Sequence, residues 1–351
     1  MKKLFDVFER DKIIYDTLLK DFLPDKIIDA HTHIWLHSHF KKNFNEPERT
    51  VKWPSMVASE NPAEDLIETY RLMFPDKNVT PLIFSQVGRS YDINAGNTYV
   101  HESSEKYKFP SLMVATPETS PEELEEKIEK GGFSGCKVYL TLAETYIPEK
   151  EIRIYDFIPP QQLEILNKRG WILMLHIPRD GRLKDPVNLA QMMEIDKKYP
   201  HARVIIAHVG RAYCNEDIGD AFNVLSKSKN LVFDISANSN SFVFAELIRN
   251  IGTKRILFGS DLPILRMRTR RICENGKYIN LVTKGAYGDV SVDPHMREVD
   301  GIEADKLTFF MYEELLAFKK AAESMNLNES AIEDVFYNNS KDIIMSAGGS
   351  I

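Results

Sequence analysis

Asp29-Ala30-His31-Thr32-His33 closes the apolar run that begins Lys26-Ile27-Ile28. Alternate residues of an extended strand share a face, so Asp29, His31 and His33 are expected to point the same way. Two imidazoles so spaced at the tip of a buried strand can both reach one metal ion. The pattern is common by itself, and its meaning depends on what ends the later apolar runs. His176 closes Trp-Ile-Leu-Met-Leu, His208 closes Val-Ile-Ile-Ala, and Asp261 closes Ile-Leu-Phe-Gly-Ser. Four histidines and one aspartate at strand ends offer nitrogen and oxygen ligands suited to zinc, or to manganese or iron at higher coordination.

The elements that must position these residues form one repeated unit. Apolar runs fall at Lys26–Ala30, Val79–Ser85, Ser111–Ala115, Gly135–Leu140, Trp171–His176, Ala202–Ala207, Leu231–Ser236 and Arg255–Gly259. Between most of them lie amphipathic segments with helix signals, at Ala63–Phe74, Pro121–Lys130, Pro160–Arg169, Asn188–Tyr199, Asp217–Lys227 and Phe242–Asn250. Asn61 ahead of Pro62, Ser120 ahead of Pro121, and Ser241 are the expected caps. Near-continuous apolar strands alternating with helices indicate a parallel sheet covered on both faces, and eight of them indicate an α/β protein of the (β/α)8 TIM-barrel type. No Gly-x-Gly-x-x-Gly follows the first strand, which removes the main support for a dinucleotide fold. Three segments exceed the barrel minimum: Trp35–Asn61 after strand 1, Gly88–Phe109 after strand 2 and Arg266–Asp305 after strand 8. All three follow strand C-termini, the face on which barrel enzymes carry chemistry.

Composition bounds the rest. The 351 residues carry 43% hydrophobic and 28% charged side chains with a net charge of −7, which suits one large barrel and disfavours a nucleic-acid binder needing a basic face. The expected organisation is a single domain over 1–351, its core about 26–345, with residues 1–25 as a helical extension. Cys136, Cys214 and Cys273 are widely spaced and odd in number, so neither a disulfide framework nor a thiolate cage is expected. Asp6, Glu9, Arg10 and Asp11 interrupt any signal-peptide core, and no apolar run approaches a membrane span; a cytoplasmic protein is the default expectation.

With these residues in place the chain resembles the amidohydrolase superfamily, and within it the amidohydrolase-related branch. The resemblance runs from about Lys26 to Ile344 and includes Ala331-Ile-Glu-Asp-Val-Phe-Tyr-Asn-Asn-Ser, similar to the family's closing helices. It implies a divalent metal, one ion or two, on His31, His33, His176, His208 and Asp261. It implies a hydrolase or, on the same site, a non-oxidative decarboxylase. Lys137, in Gly-Cys-Lys-Val-Tyr on the fourth strand, holds the ambiguity over the ion count. Binuclear members carry a lysine in a similar setting as a carbamate bridging two ions, whereas mononuclear members leave it free to meet an acid or a substrate carboxylate. A lysine can also simply extend along the barrel rim.

The constellation suggests a mechanism. A bound divalent ion would bring the pKa of a water from about 15.7 toward neutrality. Asp261 would take that water's proton and return it to the leaving group, and His208 would bind a second ion or hydrogen-bond the water and the developing oxyanion. Asp29 is expected to support the site by hydrogen bonding rather than to ligate. Arg179 and Arg211 follow His176 and His208 closely, and Arg266, Arg268, Arg270 and Arg271 follow Asp261. Guanidiniums above a metal site suggest a small anionic, carboxylated substrate, with Arg179, Arg211 and Tyr139 as its candidate contacts. The leading expectation is hydrolysis of an amide, ester or lactone. Decarboxylation of a carboxylated aromatic or semialdehyde is the alternative, and a non-catalytic barrel the third. No nucleic acid or membrane is expected as a partner. Arg266–Asp305 is long enough to serve as a lid or as the contact of a homo-oligomer.

Overall fold

The computed structural model describes residues 4–42, 44 and 56–351. Much of the expected insertion Trp35–Asn61 lies outside the described residues. Eight parallel strands stand where the apolar runs predict them: β1 Lys26–His33, β2 Asn78–Phe84, β3 Met113–Val114, β4 Gly135–Val138, β5 Ile172–Leu175, β6 Arg203–Ile206, β7 Val232–Asp234 and β8 Ile256–Leu257. β1 pairs with β2, and β3 through β8 pair in sequence order. Backbone hydrogen bonds close the two remaining seams. Leu112 N donates to the Ile83 carbonyl at 3.0 Å, joining β2 to β3. Ala30 N donates to Phe258 O at 3.0 Å, His33 N to Leu262 O at 2.9 Å and Asp261 N to His31 O at 2.7 Å, joining β8 to β1. The result is a closed (β/α)8 barrel.

Its interior is packed by alternate residues of these strands, among them Ile28, Ala30, Leu82, Ile172, Met174, Ile205 and Leu257. Residues between them, such as Ile27, Leu173, Val204 and Phe258, face the surrounding helices. The helices Ala63–Met73, Pro121–Gly131, Pro160–Arg169, Pro186–Lys198 and Ser241–Ile251 lie close to their expected positions. Most of the segment after β2 is a further covering helix, Ile93–Tyr107, capped by Asp92 accepting from Ala95 N at 3.0 Å.

Local chemistry moves several boundaries. Ser120 caps its helix as expected, accepting from Glu123 N. Asn240 rather than Ser241 caps the helix after β7. Asn61 is no cap: its amide donates to the His33 carbonyl at 2.6 Å and its side-chain oxygen accepts from Arg266. The helix expected over Asp217–Lys227 shrinks to Ala221–Leu225, because Gly219 adopts φ +45° and interrupts it.

The segment after β8 builds a small sheet of its own. Strands β9 Arg268–Glu274, β10 Lys277–Thr283, β11 Met296–Val299 and β12 Thr308–Phe309 assemble in the order β11-β10-β9-β12. The N-terminal helix Glu9–Ile14 is tied to it through buried Asp11, which pairs with Arg268 and accepts from Thr308 Oγ at 2.7 Å. Cys273 on β9 is disulfide-bonded to Cys214, beyond β6, with 5.8 Å between their Cα atoms. This overturns the expectation of unpaired cysteines. Their sequence separation of 59 concealed the pair, since only the packing of β9 against the barrel mouth brings them together. No helix among the described residues is long and apolar enough to cross a membrane.

Gly259, just beyond β8, marks a close approach to β1 beside the site. A Cβ there would lie 2.8 Å from the Cβ of His31 and 3.5 Å from that of Asp234. Gly259→Ala should therefore destabilise the protein by about 1–3 kcal/mol, the usual cost of overpacking a filled core. Urea melts would show it, and an unchanged midpoint would mean that β1 and β8 can separate freely.

Candidate metal centre

The first strand does not present Asp29, His31 and His33 on one face. Its register against β2 shifts between Asp29 and Thr32, and a bulge turns every later side chain over. Ile28 and Ala30 face the barrel interior, and so do His31 and His33, whose rings pack on Phe84. Asp29 faces outward, accepting from Tyr70 Oη at 2.8 Å and from Ser260 N at 2.8 Å. Burial raises it to about 7 against these hydrogen bonds. Its supporting role is as expected, but on the other face.

His208 and Asp261 reach the site through backbone that side chains rarely adopt. Ala207 is an interior residue, so a straight continuation of β6 would turn His208 outward. Instead His208, Val209, Gly210 and Arg211 have φ of 57°, 49°, 61° and 60°. Asp261 has φ 60°. Such positions cost roughly 1–3 kcal/mol each and are characteristic of functional sites.

The side chains converge. Ligating atoms of His31, His208 and Asp261 lie within 4.8 Å of one another. Asp261 Oδ1 is 3.2 Å from His33 Nε2 and 3.5 Å from His31 Nε2. The His176 ring lies 5.2 Å from that of His208, and the Tyr139 ring 4.3 Å from His176. Lys137 Nζ stands 3.4 Å from His31 Nε2 and is 1% exposed.

Hydrogen bonds assign the imidazole tautomers. His31 Nδ1 donates to Asp234 at 2.9 Å, His33 Nδ1 to the Ser85 carbonyl at 3.0 Å, and His208 Nδ1 to the Ser236 carbonyl at 3.1 Å. The unprotonated Nε2 of His31 and His208 therefore faces the centre, and His33 Nε2 meets the Asp261 carboxylate. His176 Nδ1 is buried with no partner among the described residues. Burial pulls His31 down to about 3 and lowers His176 and His208 as well, so the imidazoles stay in the neutral form that ligation requires. Burial alone would raise Asp261, but the hydrogen bond from His33 and the neighbouring histidines hold it below the ordinary carboxylate value. Burial draws the Lys137 ammonium down to about 8 against the attraction of Asp234 and Asp261. This donor set fits a divalent ion.

Asp234 is the participant that motif reading passed over. Besides His31 it accepts from His208 N at 2.8 Å and from Ser236 N at 3.1 Å, and the Ser236 hydroxyl also donates to it. Burial would raise it, yet His31 and its other partners keep it well below the ordinary carboxylate value. The signal was weak: Asp234 lies within the seventh apolar run, Leu231–Ser236, rather than at its end.

The arginines separate. Arg179 turns away to pair with Asp185 at 3.2 Å, the residue that caps the helix Pro186–Lys198. Arg211 stays near the histidines, one edge held by the Pro178 carbonyl at 2.9 Å. Arg266 is buried structure, bonding Thr69 Oγ and Asn61.

A closed barrel with a histidine–carboxylate cluster at the strand C-termini is the arrangement of a barrel enzyme whose donor set fits a divalent ion. The amidohydrolase family model matches residues 28–271, and the chain belongs to that family. No curated protein is similar enough to match. Among solved structures, a dihydroxybenzoic acid decarboxylase from Polaromonas sp. JS666, with bound manganese and 2-nitroresorcinol, superposes with a TM-score of 0.54 at 16% identity, covering 91% of this chain and 97% of that one. A 5-carboxyvanillate decarboxylase from Sphingomonas paucimobilis gives 0.58 at 10% identity, covering 91% and 99%. A probable 2-pyrone-4,6-dicarboxylic acid hydrolase from Acinetobacter baumannii, with citric acid bound, gives 0.52 at 14% identity, covering 90% and 98%. At these identities the likeness establishes the fold, and the reactions remain those of the relatives.

If Asp234 orients His31, Asp234→Ala should weaken binding of a divalent ion about 10–100-fold. Competition against a chromophoric chelator measures this, with circular dichroism as the control for folding. Unaltered affinity would reduce Asp234 to a strand tie.

Proposed function

We propose that this chain is a metal-dependent hydrolase acting on an amide, ester or lactone of a small carboxylated compound. The observation that carries the reading is the gathering of ligand atoms at the barrel mouth: His31 Nε2 and His33 Nε2 lie 3.5 and 3.2 Å from Asp261 Oδ1, and ligand atoms of His31, His208 and Asp261 lie within 4.8 Å of one another. His31, His33 and Asp261 would hold the ion, with His176 completing the set. When bound, a divalent ion such as zinc supplies a Lewis acid and an acidified water.

The chain's own groups do the rest. Asp261, kept ionised by its histidine neighbours, takes a proton from the attacking water and delivers it to the leaving group. His208 commits Nδ1–H to Ser236, so its Nε2 accepts a hydrogen bond from the water and cannot donate one to an oxyanion while neutral. Donation falls to Tyr139, which burial holds protonated and which packs on His176. Lys137 lies against His31 with no carboxylate within ion-pair distance among the described residues. We read it as a free amine beside a single ion.

Asp261→Asn should preserve the fold and lower kcat by about 10²–10⁴-fold; near-normal turnover would remove Asp261 from proton transfer. Lys137→Ala should leave the metal-to-protein ratio unchanged, whereas a halved ratio by elemental analysis would establish a bridging carbamate. The reaction itself is tested on a panel of carboxylated lactones, esters, amides and aromatic acids. Acid release from the lactones and esters in a pH-stat, or amine release from the amides, without CO2 is expected, and CO2 release from the aromatic acids would make the enzyme a decarboxylase.

A further inference from the structure

The small sheet after β8 brings two more residues to the barrel mouth. Arg271 on β9 donates through Nη1 to the Ala237 carbonyl, beyond β7, at 2.5 Å and through Nε to Asn280 at 2.9 Å. Its guanidinium carbon lies 4.7 Å from the ring of Tyr213, 4.5 Å from that of Tyr278 and 4.5 Å from that of Phe310. Arg182 covers the same two tyrosines at 5.4 and 5.1 Å. The Tyr213 and Tyr278 rings are 4.9 Å apart. Both tyrosines and Arg211 act electrostatically on Tyr139, and Arg211 acts on His176. Ala237, whose carbonyl holds Arg271, directly follows Ser236, the partner of His208, and Tyr213, which both Arg271 and Arg182 cover, lies two residues beyond Arg211, so the arginines stand at the same end of the barrel as the metal ligands.

The charge in this cluster is poorly compensated. Arg182 has one acidic partner, Asp217, at 2.7 Å. Arg211 and Arg271 are held by backbone carbonyls, an amide and aromatic rings, with no acid at ion-pair distance among the described residues. Glu314 is the acid that acts on Arg271, and burial beside Asp29, Asp234 and Asp261 raises it far above the ordinary carboxylate value. It therefore contributes little negative charge. The Nη2 groups of Arg182, Arg211 and Arg271 have no hydrogen-bond partner among the described residues. Each guanidinium is held through one or two of its other nitrogens and leaves its Nη2 donors to a further acceptor, an arrangement preorganised for an oxyanion. Aromatic faces can hold one such cation without an anion, but three side by side repel one another.

We infer that Arg182, Arg211 and Arg271 form a carboxylate receptor at the outer end of the pocket, so that the substrate carries a carboxylate beyond the group presented to the metal ligands. This inference rests on the reading of the barrel mouth as the substrate site, and not on whether the reaction is hydrolysis. Arg271 and Tyr278 come from the β9–β10 hairpin, which makes that hairpin a specificity element. The Cys214–Cys273 disulfide holds it over the mouth.

Equilibrium binding separates this inference from the choice of reaction. Benzoate, benzene-1,3-dicarboxylate and benzene-1,4-dicarboxylate would be titrated calorimetrically into the zinc-loaded protein. At least one dicarboxylate should bind tenfold or more tightly than benzoate. Arg271→Gln should abolish that preference while benzoate affinity holds, Arg271→Lys should restore part of it, and Arg211→Gln should lower it independently. Equal affinities for benzoate and both dicarboxylates would overturn the receptor, as would a preference that survives both glutamine variants. Retained benzoate binding in each variant reports that the pocket is still folded. Turnover data bear on the hydrolase reading alone, so either proposal can fail without the other.

Discussion

A fully buried carboxylate holds this molecule's metal end together. Asp234 ends β7 and takes hydrogen bonds from the His31 ring, the His208 backbone and Ser236. Burying an ionised carboxylate costs several kcal/mol unless its lone pairs are filled by donors. Here each donor also acts on the site. His31 is fixed in the tautomer that frees Nε2, and the left-handed turn at His208 is anchored where its φ would otherwise be unfavourable. Gly259 leaves room for this arrangement, since a Cβ there would push on His31.

From that anchor outward the barrel divides the work. Its interior is apolar up to the layer of Met174, Ile205 and Leu257, then polar over the last residues of each strand. Neutral imidazoles and an ionised Asp261 share this layer because burial disfavours charge on the histidines while hydrogen bonding preserves it on the aspartate. Above it lies a roof of aromatic rings and guanidiniums, part of it supplied by the sheet after β8 and stapled by Cys214–Cys273. A common barrel thus carries the histidine–carboxylate cluster, and an added hairpin packs beside its mouth.

Much of the site could be read from the chain because strand ends are local events. His176, His208 and Asp261 each follow an apolar run, and the first-strand pair His31 and His33 follows another; the structure gathers all five. Asp234 sits inside its apolar run, Leu231–Ser236, where no strand-end pattern marks it, and only the approach of β1 and the turn after β6 gives it partners. Asp29 was assigned to the wrong face because alternation holds only for an unbroken register, and a bulge depends on how β1 meets β2. Asn61 had a capping residue's sequence context, yet the His33 carbonyl and Arg266, 205 residues away, claim its side chain. Arg179 looked equivalent to Arg211 by spacing, but Asp185 captures it.

By itself the sequence determined the alternation of strand and helix, the barrel that follows from it, and the identity of the residues able to ligate. These depend on apolar periodicity and side-chain chemistry, which are properties of short segments. Only the tertiary structure decided which nitrogen of each histidine faces the centre, that Asp234 supports His31, that Cys214 meets Cys273, and that Arg271 joins Arg182 and Arg211. Each of those depends on contacts between residues far apart in the chain. They exist only once the barrel has closed and the hairpin beyond β8 has packed on its mouth.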